Sequence, residues 1–110
     1  MDLSFADAKL ARTLLDDMAM KRAYGEMASR LRRRLDFLAA APSLADVPHV
    51  PPTRCHALKG EWSGHFAVDI TENWRLVFRP ADNPVPTLPD GAVDLKAVTA
   101  AMIVAVVDYH

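Results

Sequence analysis

The sequence predicts an α+β fold in which an N-terminal helical hairpin packs on a small, mostly antiparallel β-sheet. Apolar residues recur every three or four positions in the first third of the chain, whereas they alternate with polar ones in the middle. Two proline clusters, at residues 42–52 and 80–89, separate these regions, and proline interrupts both helices and central strands. Because 110 residues is the size of one ordinary domain, we expect a single domain over residues 1–110.

The helical hairpin is predicted over residues 5–41. Ser4 followed by Asp7 has the spacing of a capping box for the first helix. The consecutive aspartates that begin at Asp16 would be unfavourable at a helix C-terminus, so we place the break between the helices near residues 17–22. The apolar face of the second helix comprises Tyr24, Met27, Leu31, Leu35 and Leu38.

The sheet is predicted over residues 53–79 and 101–109. Residues 71–73 form a short polar turn between two alternating segments, which therefore predict an antiparallel hairpin. The β-branched run near the C-terminus is typical of a central strand. Residues 80–99 form a long proline-rich loop. The predicted strands are 54–58, 66–70, 74–79 and 101–109.

Composition excludes several classes of function. Cys55 is the only cysteine, which excludes an intrachain disulfide and a four-cysteine zinc site. The four glycines match neither a Rossmann nor a P-loop pattern. The net charge of −1 is not that of a strongly basic nucleic-acid binder. The apolar stretch at residues 97–107 is about half of what a membrane span needs, and the first residues lack a signal-peptide pattern. We therefore expect a cytoplasmic protein.

The titratable residues fit metal-free RNA cleavage better than metal chemistry. The four histidines lack close metal-ligand spacing, so we expect no metal and no cofactor. Attack of a 2′-hydroxyl on the adjacent phosphate needs a base, an acid and positive charge, which histidine, arginine and lysine supply. If the C-terminus stays extended, Asp108 and His110 share one face of the strand and Tyr109 takes the other. From spacing alone, a histidine near a strand end is more often a hydrogen-bonded surface residue.

Four segments in order resemble the HigB toxins, the plasmid maintenance killer branch of the RelE/ParE superfamily. The family pattern is approximately L-H-P-L-K-G, G-x-W-S-I, N-W-R-I-x-F and a closing D-Y-H. The corresponding segments here are RCHALKG at 54–60, GHFAV at 64–68, NWRLVFR at 73–79 and VDYH at 107–110. Ala57, Cys55 and Phe66 depart from the family's proline, leucine and tryptophan, and the 80–99 loop is longer than the family's turn.

The resemblance implies a type II toxin that cleaves messenger RNA in the ribosomal A site. It implies neutralisation by a helix-turn-helix, HigA-like antitoxin, contact with operator DNA only through that complex, and no membrane partner. By position, the implied catalytic residues are His56, Asp108, Tyr109 and His110. Lys59 and Arg75 match basic positions of the RNA cleft, and Arg79, at a strand end, is a further candidate for phosphate binding.

Two alternatives remain open at this stage. A protein of the same fold without nuclease activity, such as a gyrase-directed toxin or a corepressor acting with its antitoxin, would not need the histidines. The arginine run at residues 30–34 has two interpretations. Its spacing from acidic residues predicts surface ion pairs such as Glu26–Arg30 and Arg32–Asp36, but the run could also contact ribosomal RNA.

Overall fold

A computed structural model describes residues 1–108, and these form the predicted α+β architecture. Five strands make one mixed sheet in the order β1-β5-β4-β3-β2, with helices covering one face. No helix in this part of the chain has the length and apolar character needed to cross a membrane. The elements, in chain order, are β1 (Asp2–Phe5), α1 (Ala8–Leu14), α2 (Asp17–Tyr24), α3 (Ala28–Ala40), β2 (His56–Ala57), β3 (Phe66–Asp69), β4 (Trp74–Pro80) and β5 (Ala100–Asp108).

The N-terminal segment differs from the prediction. Residues 2–5 form an edge strand that pairs in parallel with β5, so Ser4 lies in a strand and not in a helix cap. Asp7 alone caps α1, because its side chain accepts a hydrogen bond from the Leu10 amide at 2.7 Å. The pairing is long-range, with Phe5 opposite Ile103, so the local sequence pattern does not show it.

The N-terminal helical region, residues 8–40, has three α-helices, whereas two were predicted. The first break lies at residues 15–16, upstream of the predicted 17–22, because Asp16 caps the start of α2 and accepts from the Met18 amide at 2.9 Å. A negative charge at that position stabilises a helix start. Gly25, at φ +58°, ends α2 in the left-handed region, and a single 3-10 turn leads into α3.

The sheet contains the predicted antiparallel hairpin, formed by β3 and β4. Each face of the sheet carries some apolar side chains. Phe66, Val68, Leu76 and Phe78 face the helices in the main core, whereas Ala67 and Val77 belong to a smaller cluster on the other side. That other side, which we call the open face, also carries Leu58, Trp62, Ala105 and Val107. The predicted strand at 54–58 is reduced to the two residues of β2.

A bulge on β5 adjusts its register. Val77 pairs with Ala105 and Phe78 with Ile103, so Val104 is the extra residue. The bulge allows both Ile103 and Val106 to pack into the main core. β5 has a neighbour on both sides, as its β-branched run predicts. The loop before it is partly ordered by a bridge between Thr87 and Val93.

Candidate nucleic-acid cleavage site

The open face carries His56 on β2 and two arginines on β4, with β3 between the two strands. His56 pairs with Ala67, which pairs with Val77, so the three side chains lie in one row across the sheet. Arg75 and Arg79 lie two residues before and after Val77 on the same face. Two residues of strand span about 7 Å, so the two guanidinium groups flank the His56 row.

The orientation of the His56 ring is fixed by its neighbour in the chain. Its Nδ1 lies 2.8 Å from the carbonyl oxygen of Arg54. Because a carbonyl oxygen only accepts, Nδ1 must carry the hydrogen and donate it. Nε2 is therefore the nitrogen that can take up a proton when the ring is neutral, or give one up when it is charged.

Asp69 contacts three arginines, one of which is Arg54, the residue whose carbonyl oxygen holds the His56 ring. Its carboxylate accepts two hydrogen bonds from Arg54, at 2.6 and 3.0 Å, and its Oδ1 lies 3.1 Å from Nε of Arg75. Its backbone oxygen accepts from Nε of the buried Arg34 at 2.6 Å. The side-chain hydrogen bond from Asp69 raises the pKa of Arg54, which keeps the Arg54 guanidinium charged.

Arg54 adopts a backbone conformation that a side chain rarely takes. Its φ is +45°, in the left-handed region, although it is not a glycine. The two-pronged ion pair with Asp69 holds its side chain, and its carbonyl oxygen then points at the His56 ring. Asp69 thus acts on both His56 and Arg75, and neither Asp69 nor Arg54 was among the residues predicted from the sequence.

The other two basic candidates are more exposed. Lys59 precedes a 3-10 turn directly after β2, three residues beyond His56. Arg79 is exposed and its Nη2 lies 3.4 Å from Sδ of Met102 on the neighbouring strand. Arg75 is held more firmly, since its side chain is only 16% exposed. His56, Arg75 and Arg79 therefore share one face of the sheet, and Lys59 follows directly after β2.

The structure does not bring Asp108 beside His56. Asp108 pairs with Trp74, and the Trp74 side chain packs against the helix-side core. Val107, one residue earlier, belongs to the open face, so Asp108 points to the helix side. Asp108 and His56 therefore lie on opposite faces of the sheet. Tyr109 and His110 lie outside the described residues.

The arginines of the run at residues 30–34 have different surroundings. Arg32 forms ion pairs with Asp17 at 3.3 Å and Asp36 at 3.4 Å, which confirms one predicted surface pair. Arg34 is buried and contacts the Asp69 backbone. The predicted Glu26–Arg30 pair does not form within 4.0 Å in the described part of the chain.

Three solved structures that superimpose on this chain are described as toxins or a toxin complex. A YoeB/ParE toxin from Agrobacterium tumefaciens superimposes with a TM-score of 0.57 at 14% identity, over 100% of this chain and 99% of that one. YafQ from E. coli strain BL21(DE3) gives 0.59 at 13% identity, over 97% and 91%. The YoeB-YefM complex from Staphylococcus aureus gives 0.55 at 14%, over 100% and 97%. These identities establish the fold alone.

Sequence comparison places the chain in a family. No curated protein sequence matches it. A sequence profile described as the RelE-like toxin of the type II toxin-antitoxin system HigB matches residues 3–88. The matched segment begins within β1, contains β2 to β4 and extends into the following loop, and so includes His56, Asp69 and Arg75. The chain therefore belongs to the HigB-like toxins, the RelE-like toxins of type II toxin–antitoxin systems.

Proposed function

We propose that this toxin is a ribosome-dependent, metal-free endoribonuclease that cleaves messenger RNA in the A site and so arrests translation. The observation that supports the proposal is the open face, which carries a histidine held by a carbonyl oxygen through Nδ1 and, two strands away, two arginines on either side of its cross-strand row. On this account, residues 1–110 act as one toxin domain in the cytoplasm, where translating ribosomes are found.

The proposed chemistry is transfer of the scissile phosphate to the neighbouring 2′-hydroxyl. The 2′-oxygen forms a bond to phosphorus, the bond to the 5′-oxygen breaks, and a 2′,3′-cyclic phosphate and a 5′-hydroxyl result. Neutral His56 can accept the hydroxyl proton at Nε2, or its charged form can protonate the leaving oxygen. Because the Arg54 carbonyl holds Nδ1, less rearrangement of the ring is needed before proton transfer at Nε2.

The arginines supply positive charge where negative charge develops. Arg75 is largely buried and held by Asp69, so it is preorganised to contact the phosphorane oxygens. The side chains of Arg79 and Lys59 are exposed. Their positive charges can therefore contact the phosphates on either side of the scissile one. We retain Asp108, Tyr109 and His110 as proposed catalytic residues on the resemblance alone. Since Asp108 faces the helices, its proposed role is to act through the C-terminal residues and not directly on His56.

A protein antitoxin is the proposed inhibitor. The fold is shared with the toxin of a YoeB-YefM toxin–antitoxin complex, which supports a partner of the same class for this chain. On the family resemblance, we propose that this antitoxin has a helix-turn-helix and that operator DNA is contacted only through the complex. Mixing the toxin with the product of a neighbouring helix-turn-helix gene should block cleavage in the assay below.

The test is cleavage of a defined messenger in ribosomes with an empty A site. We expect a single cut within the A-site codon, with a 5′-hydroxyl and a 2′,3′-cyclic phosphate at the new ends. A messenger with a 2′-O-methyl group at the scissile nucleotide should resist cleavage, because the attacking hydroxyl is blocked. Cuts that leave a 5′-phosphate, or equal cutting of the blocked messenger, would contradict the proposed chemistry.

A further inference from the structure

A depression on the helix side of the molecule collects cationic and aromatic groups that the cleavage chemistry does not use. It has a volume of about 710 Å³ and lies between the start of α3 and the turn that joins β3 to β4. Arg30 and Arg33 line it from the helix, and Trp74 lines it from β4. Because Trp74 faces away from the row that contains His56, this depression is separate from the candidate cleavage site.

Within the described part of the chain, no ion pair holds either of these two arginines. Among residues 1–108, neither Arg30 nor Arg33 has a carboxylate oxygen within 4.0 Å, although Arg32 on the same helix has two. Their charges also act on Arg34: burial lowers the pKa of Arg34, and Arg33 and Arg30 lower it further. The local excess of positive charge is therefore not compensated within the described chain, apart from Glu26 at the rim.

The aromatic groups make this site different from a plain basic patch. Tyr24 and Trp74 meet edge to face, with ring centroids 6.5 Å apart and planes at 73°, and both rings are only half-buried. The Thr71 hydroxyl accepts from the Trp74 amide, so its own hydrogen can point into the depression. Guanidinium groups bind phosphates, and aromatic rings stack on unpaired bases. An acidic peptide would use only the first of these features.

A second hollow lies between the depression and the Asp69 ion pairs. Arg30 and Thr71 also line a second hollow of about 370 Å³, whose wall includes Asp69. Asp69 in turn holds Arg75 on the open face. A single RNA strand could therefore pass around this end of the sheet, from the scissile phosphate to the arginines of α3.

We propose that the depression formed by Arg30, Arg33, Tyr24 and Trp74 binds an unpaired nucleotide of the same messenger strand that the toxin cleaves. This inference rests on the proposed function for the identity of the strand, but binding can be measured without cleavage. The site adds affinity for single-stranded RNA and takes no part in the bond-breaking step.

The test uses the only tryptophan of the site as a reporter. The chain has two tryptophans, so Trp62→Phe leaves Trp74 as the sole source of indole fluorescence. The ligand is a short single-stranded oligoribonucleotide in which every 2′-oxygen is methylated and cleavage is blocked. We expect saturable quenching of Trp74, and weaker binding to a duplex of the same length, because paired bases cannot stack on the rings.

Two double variants in this background separate the site from general electrostatics. Arg30→Gln with Arg33→Gln should weaken binding at least tenfold at low salt and reduce the salt slope by about 1.4, since each contact in single strands contributes about 0.7. Lys9→Gln with Arg12→Gln removes the same charge from exposed positions of α1 and should change the affinity less than threefold. Thermal unfolding of both variants checks that they are folded.

The outcomes distinguish this inference from the proposed function. Equal loss of binding in both double variants, preference for the duplex, or equal quenching by polyglutamate would overturn the RNA site. If quenching depends on Arg30 and Arg33 while no messenger is cleaved on ribosomes, the binding site stands and the nuclease proposal fails. If cleavage occurs and the Arg30 and Arg33 variant binds normally, only the inference fails.

Discussion

His56 and Asp108 lie on opposite faces of the sheet. His56 belongs to the row of Ala67 and Val77 on the open face, whereas Asp108 pairs with Trp74 on the helix side. Direct cooperation of the two side chains would require the end of β5 to leave its register. The carboxylate linked to His56 is that of Asp69. It forms an ion pair with Arg54, and the carbonyl oxygen of Arg54 contacts the His56 ring.

Removing the Asp69 charge should impair cleavage more than folding. Asp69→Asn retains the size of the side chain but weakens the contacts to Arg54 and Arg75. We expect single-turnover cleavage on ribosomes to slow by about ten- to a hundredfold, because Arg75 and His56 lose their fixed positions. The loss in unfolding free energy should be about 1–3 kcal/mol, between the values for exposed and fully buried ion pairs.

Asp36→Asn is the control for this variant, because it removes a carboxylate from an exposed pair with Arg32. It should leave cleavage unchanged. NMR can measure the rate of proton exchange at His56 Nδ1, which is a readout independent of activity. This exchange should be faster in Asp69→Asn and unchanged in the control. An Asp69→Asn protein that cleaves at the normal rate would contradict the positioning role.

The Cys55 thiol should be inert in the folded protein. Burial raises the pKa of Cys55 to about 12, so the thiol stays protonated at neutral and mildly alkaline pH, and the side chain is 3% exposed. A disulfide reagent should react only as fast as the protein unfolds, and at the normal rate once guanidinium is added. Rapid modification of the native protein would show that the segment before β2 opens.

Asp82 should make the stability of the fold depend on pH in the acidic range. Burial alone would raise the pKa of Asp82, but hydrogen bonds from Thr99 and the Ala100 amide outweigh it and lower the pKa. A carboxyl with a lowered pKa in the folded state contributes stability above its ordinary range near pH ~4, and the contribution is lost as the pH falls through the folded-state pKa. Asp82→Asn should therefore unfold at a lower temperature at neutral pH, with a smaller further loss in acid.

Asp90→Asn in the same loop is the matched control for that measurement, since Asp90 is exposed and accepts only from the Ala92 amide among the described side-chain contacts. The Asp90→Asn protein should lose thermal stability in acid to the same extent as the native protein does. If the two variants have the same melting curves against pH, the contacts between Asp82 and the start of β5 do not stabilise the fold.

Local patterns predicted the elements that local contacts form. The β3–β4 hairpin and the helix that ends before Pro42 follow from alternation and from apolar residues at helical spacing. β1 was missed because its partner is β5, about a hundred residues away in the chain. At Asp16 the charge signal was recognised but assigned to the wrong end of a helix.

The site was predicted in part for the same reason. The family motifs name His56 and Arg75 as candidates, but they give no information about the side chains that hold them. The pairing of Asp69 with Arg75 across the hairpin was a usable signal, because opposite charges facing each other across a short turn form pairs. The left-handed backbone of Arg54 had no counterpart in the sequence, since it depends on the Asp69 contact.

Expression in bacteria with mapping of messenger 5′ ends tests the central claim most directly. Wild type should arrest growth and create new 5′ ends in frame within translated codons, and His56→Gln should abolish both. His49→Gln is the matched control, because His49 also contacts a carbonyl oxygen through Nδ1, that of Cys55, but lies outside the β-sheet. Arrest and cleavage that persist in a folded His56→Gln protein would contradict the account.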